Sequence, residues 1–151
     1  SEYHRAVHGI EEGKAPRVRV DEEVANGKTI LELIDCDDKN AITAVHDVSN
    51  GGLAVALAEM VMAGDIGCEI DLSAILASDD IDDVDVLFSE SHGRYLVTVS
   101  EDAVDDIMDK INVPVSIIGE VKGETLKLND LELEINELND AFHGVLEKYM
   151  V

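Results

Sequence analysis

Basic residues are scarce in this sequence: 11 Lys and Arg stand against 34 Asp and Glu over 151 residues, a formal net charge of −23. A surface of that sign repels polyanions, which argues against nucleic acid or an anionic membrane as a partner. An anionic small ligand remains open, but its site must overcome the field locally with backbone N–H groups, an arginine or a divalent cation. Cysteine is also sparse. Cys36 and Cys68 stand alone, without a C-x-x-C pair, so neither a zinc site nor a disulfide framework is expected. They read as partly buried, reduced thiols of a cytoplasmic protein. No run of about 18 uncharged apolar residues occurs, and no basic-then-apolar leader opens the chain, so neither a membrane span nor secretion is expected. Charge of this size also suggests a salt-rich cytoplasm, because salt screens the self-repulsion. The melting temperature should therefore climb steeply with added KCl, and a flat response would count against that reading.

What is present fits one folded domain, with 46% apolar residues and no repeat or low-complexity linker. Residues 1–20, with Gly9, Gly13 and Pro16, read as an entry strap. DEEVANGKTILELI (21–34) has acids at a helix start and apolar Val24, Ile30, Leu31 and Ile34, so a helix is expected there. Ala41 to Val45 reads as a short buried strand, and Leu53 to Ala63 as a mostly buried helix ended by Gly64. CEIDLS (68–73) alternates like a strand. VDVLFSES (84–91) and RYLVTVS (94–100) read as two strands of a hairpin around His92-Gly93. Ser100 is placed to cap a helix through EDAVDDIMDKI. VSIIGEVKG (115–123) is expected to be a strand, TLKLNDLELEI (125–135) a pair of short strands around Asn129-Asp130, and the tail from Glu137 an amphipathic helix carrying Leu138, Ala141, Phe142, Val145, Leu146 and Tyr149. Together these give a mixed α+β class, a layered arrangement of helices on a mixed sheet. The acidic runs DCDDK (35–39) and SDDIDDVD (78–85) read as solvated loops. Calcium is the alternative there, although neither run has EF-hand spacing.

Two stretches combine residue types that suit chemistry. In HDVSNGGL a strand ends, a tight turn follows and Gly51-Gly52 open a helix. Backbone N–H groups at a helix start are unpaired and attract phosphate or carboxylate. Asp47 suits a magnesium ion bridging such phosphates, and His46 suits phosphate pairing or proton transfer. The plainer reading has Ser49 or Asn50 capping the helix, Asp47 accepting turn N–H bonds and His46 packed in the strand. In LFSESHGRYLV, Glu90 and Ser91 offer acceptors to a ligand, and Arg94 offers a guanidinium suited to bidentate phosphate recognition. The plainer reading there is an ion pair between Glu90 and Arg94.

HDVSNGGLAVALAEM and LFSESHGRYLVTVS, in this order and at this separation, resemble the C-terminal part of the phosphoribosylformylglycinamidine synthase family. That family lies within the superfamily of aminoimidazole ribonucleotide synthetase. The resemblance runs from SEYHRAVHG at the start to about Val121. It implies an α+β C-terminal domain from the second half of a long, glutamine-dependent enzyme of purine biosynthesis. Such an enzyme converts formylglycinamide ribonucleotide, ATP and glutamine-derived ammonia into formylglycinamidine ribonucleotide, ADP and phosphate. Implied cofactors are ATP or ADP and Mg2+. Implied partners are the N-terminal ATP-binding and first-half domains, a glutaminase and a small accessory subunit. In the family's first-half copy, the aspartate matching Asp47 binds magnesium, and a Glu-Ser-Gln triplet matching Glu90, Ser91 and His92 binds substrate. His92 here replaces that glutamine. The second-half site of the family holds an auxiliary nucleotide, so His46, Ser49, Gly51, Gly52, Glu90, Ser91, His92 and Arg94, with Asp47 for metal, are expected to bind without any catalytic residue of their own. The isolated chain is expected to be inactive and prone to form homo-oligomers. The rival readings are a non-catalytic nucleotide-binding or assembly module, a sister synthetase, and an acidic domain with no ligand.

Overall fold

In a computed structural model, the structure describes residues 1–12, 15–36, 40–75 and 82–149, with side chains in the last helix up to Val145. The chain opens with a strap whose residues His4–His8 form a single wide helical turn closed by Gly9 at φ 65°. Helix α1 (Val20–Asp35) follows, with Asp21, Glu22 and Glu23 in its first turn, where negative charge suits the helix dipole. Strand β1 (Ile42–Val48) leads into helix α2 (Gly52–Gly64). Next come strand β2 (Cys68–Ile70), helix α3 (Asp83–Phe88) and strand β3 (Arg94–Val99). Helix α4 (Val104–Met108), strands β4 (Gly119–Val121), β5 (Thr125–Leu128) and β6 (Leu131–Glu134), and helix α5 (Ile135–Tyr149) complete the chain.

Among the described residues the strands form two sheets. β1 and β3 make an antiparallel ribbon, and the other four make a mixed sheet in the order β4-β2-β5-β6, with β2 and β5 parallel. α2 lies over the mixed sheet. Its Leu53, Ala56, Leu57 and Val61 pack with Cys68 and Ile70 of β2 and Leu126 and Leu128 of β5. Because α2 carries one charged residue, Glu59, it can bury most of its circumference. A second cluster joins Leu33 of α1, Ala41, and Ala103 and Ile107 around α4. The α+β class and the helix-on-mixed-sheet arrangement expected from the sequence are what the structure has.

Several elements differ from expectation. Residues 84–91 are not a strand. Asp82 accepts the Asp85 N–H at 2.8 Å and caps α3, which buries Val86 and Leu87, so no hairpin runs through His92-Gly93. Ser100 makes no side-chain cap. Its N–H donates to the Ala41 carbonyl at 2.8 Å, and a 3-10 turn at Glu101–Ala103 precedes the short α4. β2 stops at Ile70 because Asp71 turns its carboxylate onto the Ser73 N–H (2.9 Å) and hydroxyl (2.6 Å). Of the strand expected over 115–123, only Gly119–Val121 pairs. Cys36 is exposed and Cys68 buried; burial pushes the Cys68 thiol up to about 11, which keeps it unreactive at neutral pH. Most of the two acidic runs, residues 37–39 and 78–81, lies outside the described residues.

Candidate functional site

The end of β1, the start of α2 and the segment after α3 meet at one point. Gly51 and Gly52 both take positive φ, 79° and 70°, which glycine adopts without a Cβ penalty. Gly52 has a second reason to be glycine. A Cβ there would lie 2.6 Å from the Leu87 carbonyl oxygen and 2.7 Å from that of Ser89, so the end of α3 rests directly on the start of α2. The two N–H groups that the sequence offered to a phosphate are engaged within the chain. Gly51 donates to Glu90 Oε1 at 3.0 Å and Gly52 to the Ser49 carbonyl at 3.1 Å. Neither Ser49 nor Asn50 caps α2 with its side chain.

Glu90 is a clasp. The same Oε1 also accepts the Glu2 N–H at 2.9 Å, so one carboxylate oxygen ties the entry strap to the glycine turn. These backbone N–H groups, Glu2's foremost, hold its carboxyl below the usual range. Beside this clasp the ring of Tyr3 stacks on Phe88, centroids 4.3 Å apart.

Arg94 does not pair with Glu90. Its guanidinium donates to the backbone carbonyls of Ser89 and Ser91, whose hydroxyls lie 3.1 Å from each other. Burial, with Arg19 nearby, lowers the proton affinity of the guanidinium. Among the described residues, Arg94 forms no ion pair and spends its donors on backbone carbonyls. His92 is exposed and Ser91 half-buried. Gly93, at φ 72°, lies against Glu23 of α1, and its carbonyl accepts from Asn26 at 2.9 Å.

His46 and Asp47 diverge. His46 Nε2 lies 3.0 Å from Glu59 on α2, and its Nδ1 lies 2.6 Å from the Asp47 carbonyl. The ring therefore borders a groove of about 640 Å³ lined by Met60, Met62, Phe142 and His143, apart from the glycine turn. Asp47, opposite Tyr95 in the β1–β3 ladder, has a carboxylate 66% exposed. Among the described residues no group of three or more His, Cys, Asp or Glu could hold a metal ion by itself. Asp47 therefore offers a single, largely exposed carboxylate at this place. So Gly51, Gly52, Glu90, Ser91 and Arg94 come together with the strap, while His46 faces the groove and His92 the solvent. The sequence did not point to Glu2, Tyr3 or Arg19, because each reaches the site only through tertiary contact.

Residues 1–129 match the family model described as AIR synthase related protein, C-terminal domain. The chain belongs to that family. Among curated proteins it is 65% identical over 150 residues to "Phosphoribosylformylglycinamidine synthase subunit PurL" of Methanobrevibacter smithii, covering 99% of this chain and 21% of that protein. The PurL subunit of Methanothermobacter thermautotrophicus is 46% identical over 151 residues, again with 21% of its length covered. The chain thus spans about a fifth of the length of the curated relatives it matches. Of solved structures, T. maritima PurL complexed with FGAR superimposes with a TM-score of 0.70 at 20% identity, over 87% of this chain and 23% of that one. At that identity the likeness is one of fold.

Proposed function

We propose that this chain is the C-terminal domain of the second half of a phosphoribosylformylglycinamidine synthase, contributing a phosphate-binding site to an ATP-dependent, C–N bond-forming ligase of purine biosynthesis. The full enzyme would join formylglycinamide ribonucleotide to ammonia released from glutamine, with ATP activating the amide oxygen. Its partners would be the N-terminal ATP-binding and first-half domains, a glutaminase and a small accessory subunit, in the cytoplasm. The reading draws on the relatives' name and on the FGAR complex of T. maritima PurL. The observation that carries it is Arg94, a half-buried guanidinium that donates to the Ser89 and Ser91 carbonyls and has no carboxylate partner among the described residues.

Each residue has a role in that reading. Arg94 takes a phosphate, Ser91 and Glu90 bond hydroxyl or amide groups of the ligand, and Asp47 holds the magnesium ion that neutralises phosphate charge. Ser49, Gly51 and Gly52 shape the turn, and the glycine N–H groups reach a ligand only if their present acceptors move. His92, in the place of the family's glutamine, stands at the rim. His46 lies on the groove side and would act at a distance from the phosphate. Glu90 spends Oε1 on two backbone N–H groups and its carboxyl is held below the usual range, which makes it a weak base, so binding without turnover is the role expected of the cluster.

Titration calorimetry with ATP and magnesium tests this. Wild-type chain should bind in a magnesium-dependent manner, and Asp47→Ala should weaken binding at least tenfold, the loss of one charged oxygen ligand. Binding that ignores both magnesium and Asp47 would remove the metal role. The chain by itself should show no synthase turnover in a coupled ADP assay; measurable turnover would overturn the purely binding role.

A further inference from the structure

The entry strap sits on the residues to which the ligand has been assigned. Its contacts there are two and independent: the Glu2 N–H on Glu90 Oε1 at 2.9 Å, and the Tyr3 ring stacked on Phe88. Elsewhere the strap holds little. Val7 is 60% exposed and Ile10 46%, and no strap residue from 1 to 10 is buried. Docking also brings Glu2's carboxylate toward Glu90, where the two charges oppose each other. Glu2 is restrained by Arg5, with Nε 3.1 Å and Nη2 2.6 Å from its Oε2.

We infer that the strap is a lid on the Glu90–Ser91 site, and that the docked strap and a phosphate-bearing amide ligand exclude one another. This rests on the ligand assignment proposed above and adds its regulation. While Glu2 N–H and Gly51 N–H occupy Glu90 Oε1, that oxygen is unavailable to a ligand amide. Release of the strap takes the Glu2 N–H off Glu90 Oε1 and leaves that oxygen with Gly51 alone. It also opens the face of Phe88 beside the site.

The stack is the part of the clasp that can be removed without touching a ligand contact. An aromatic pair of this kind shifts an equilibrium roughly two- to tenfold. Tyr3→Ala should therefore bind formylglycinamide ribonucleotide several-fold more tightly than wild type, whereas Tyr3→Phe, which keeps the stack, should match wild type. Trypsin gives a second readout at Arg5, in the middle of the strap. Cleavage after Arg5 should be faster in Tyr3→Ala, and the ribonucleotide should accelerate it in the wild-type chain. Ligand-induced protection of Arg5 would overturn the lid, since the strap would then close over the ligand instead of yielding to it. Equal affinity in wild type and Tyr3→Ala would overturn it while leaving the ligand assignment standing. Absence of ribonucleotide binding in every variant would overturn the lid, and absence of magnesium-dependent ATP binding as well would remove the phosphate site with it.

Discussion

Alanine in place of Gly52 is expected to lower the melting temperature by roughly 10 °C, from about 3–4 kcal/mol of lost stability at 2–4 °C per kcal/mol for a chain of this size. Two costs combine. The φ of 70° is disfavoured for a residue with a Cβ by about 1–2 kcal/mol. The Cβ would also meet Leu87 O at 2.6 Å, Ser89 O at 2.7 Å and Phe88 C at 2.9 Å. These are backbone atoms, with no rotamer to relieve the overlap, and forcing them apart costs a further ~1–3 kcal/mol. Gly123 supplies the control: its φ is 72°, yet nothing lies within 4 Å of the added Cβ. Gly123→Ala should show the conformational cost alone. Thermal melts of the two variants separate the terms, and equal losses would mean that α3 does not rest on the start of α2.

That pair of glycines also shows how much of the molecule was readable beforehand. Helix α2 was legible because thirteen residues with one charge leave little alternative to a buried helix, and the β5–β6 hairpin was legible from alternation around Asn129, which takes φ 51°. The polar cluster was legible as residues but not as geometry. Gly51-Gly52 suggested open N–H groups, and folding gave those groups to Glu90 and Ser49, 39 and 3 residues away. The stretch 84–91 was misread for a local reason. Val84 and Val86 alternate as a strand would, and six helical residues are too few for a 3.6-residue period to show. Only Asp82 as a cap marked the helix. The pairing of β2 with both β4 and β5 depends on contacts some fifty residues apart, for which sequence pattern carries no signal. Family resemblance supplied what pattern could not, the association of the two motifs with one site.

Lysine in place of Arg94 should cost the site its ligand while leaving the fold in place. Arg94 Nε donates to the Ser91 carbonyl at 3.1 Å and Nη2 donates to that of Ser89. A lysine ammonium has the charge but not the planar fork, so it can satisfy one carbonyl and leaves the other without its donor. The loss of one such bond is worth about 1–2 kcal/mol, a fall of a few degrees in melting temperature. Affinity for a phosphate-bearing ligand should drop more, by ~10- to 100-fold, because bidentate charge-assisted bonds carry both strength and orientation. Arg94→Met removes the charge as well and should abolish the remainder, provided a melt verifies that the variant is folded. The contrast between stability and affinity decides what the guanidinium is for. If Arg94→Lys melts a few degrees lower yet binds nucleotide like the wild type, Arg94 only braces Ser89 and Ser91, and the acidic chain must hold its phosphate through Asp47 and magnesium instead.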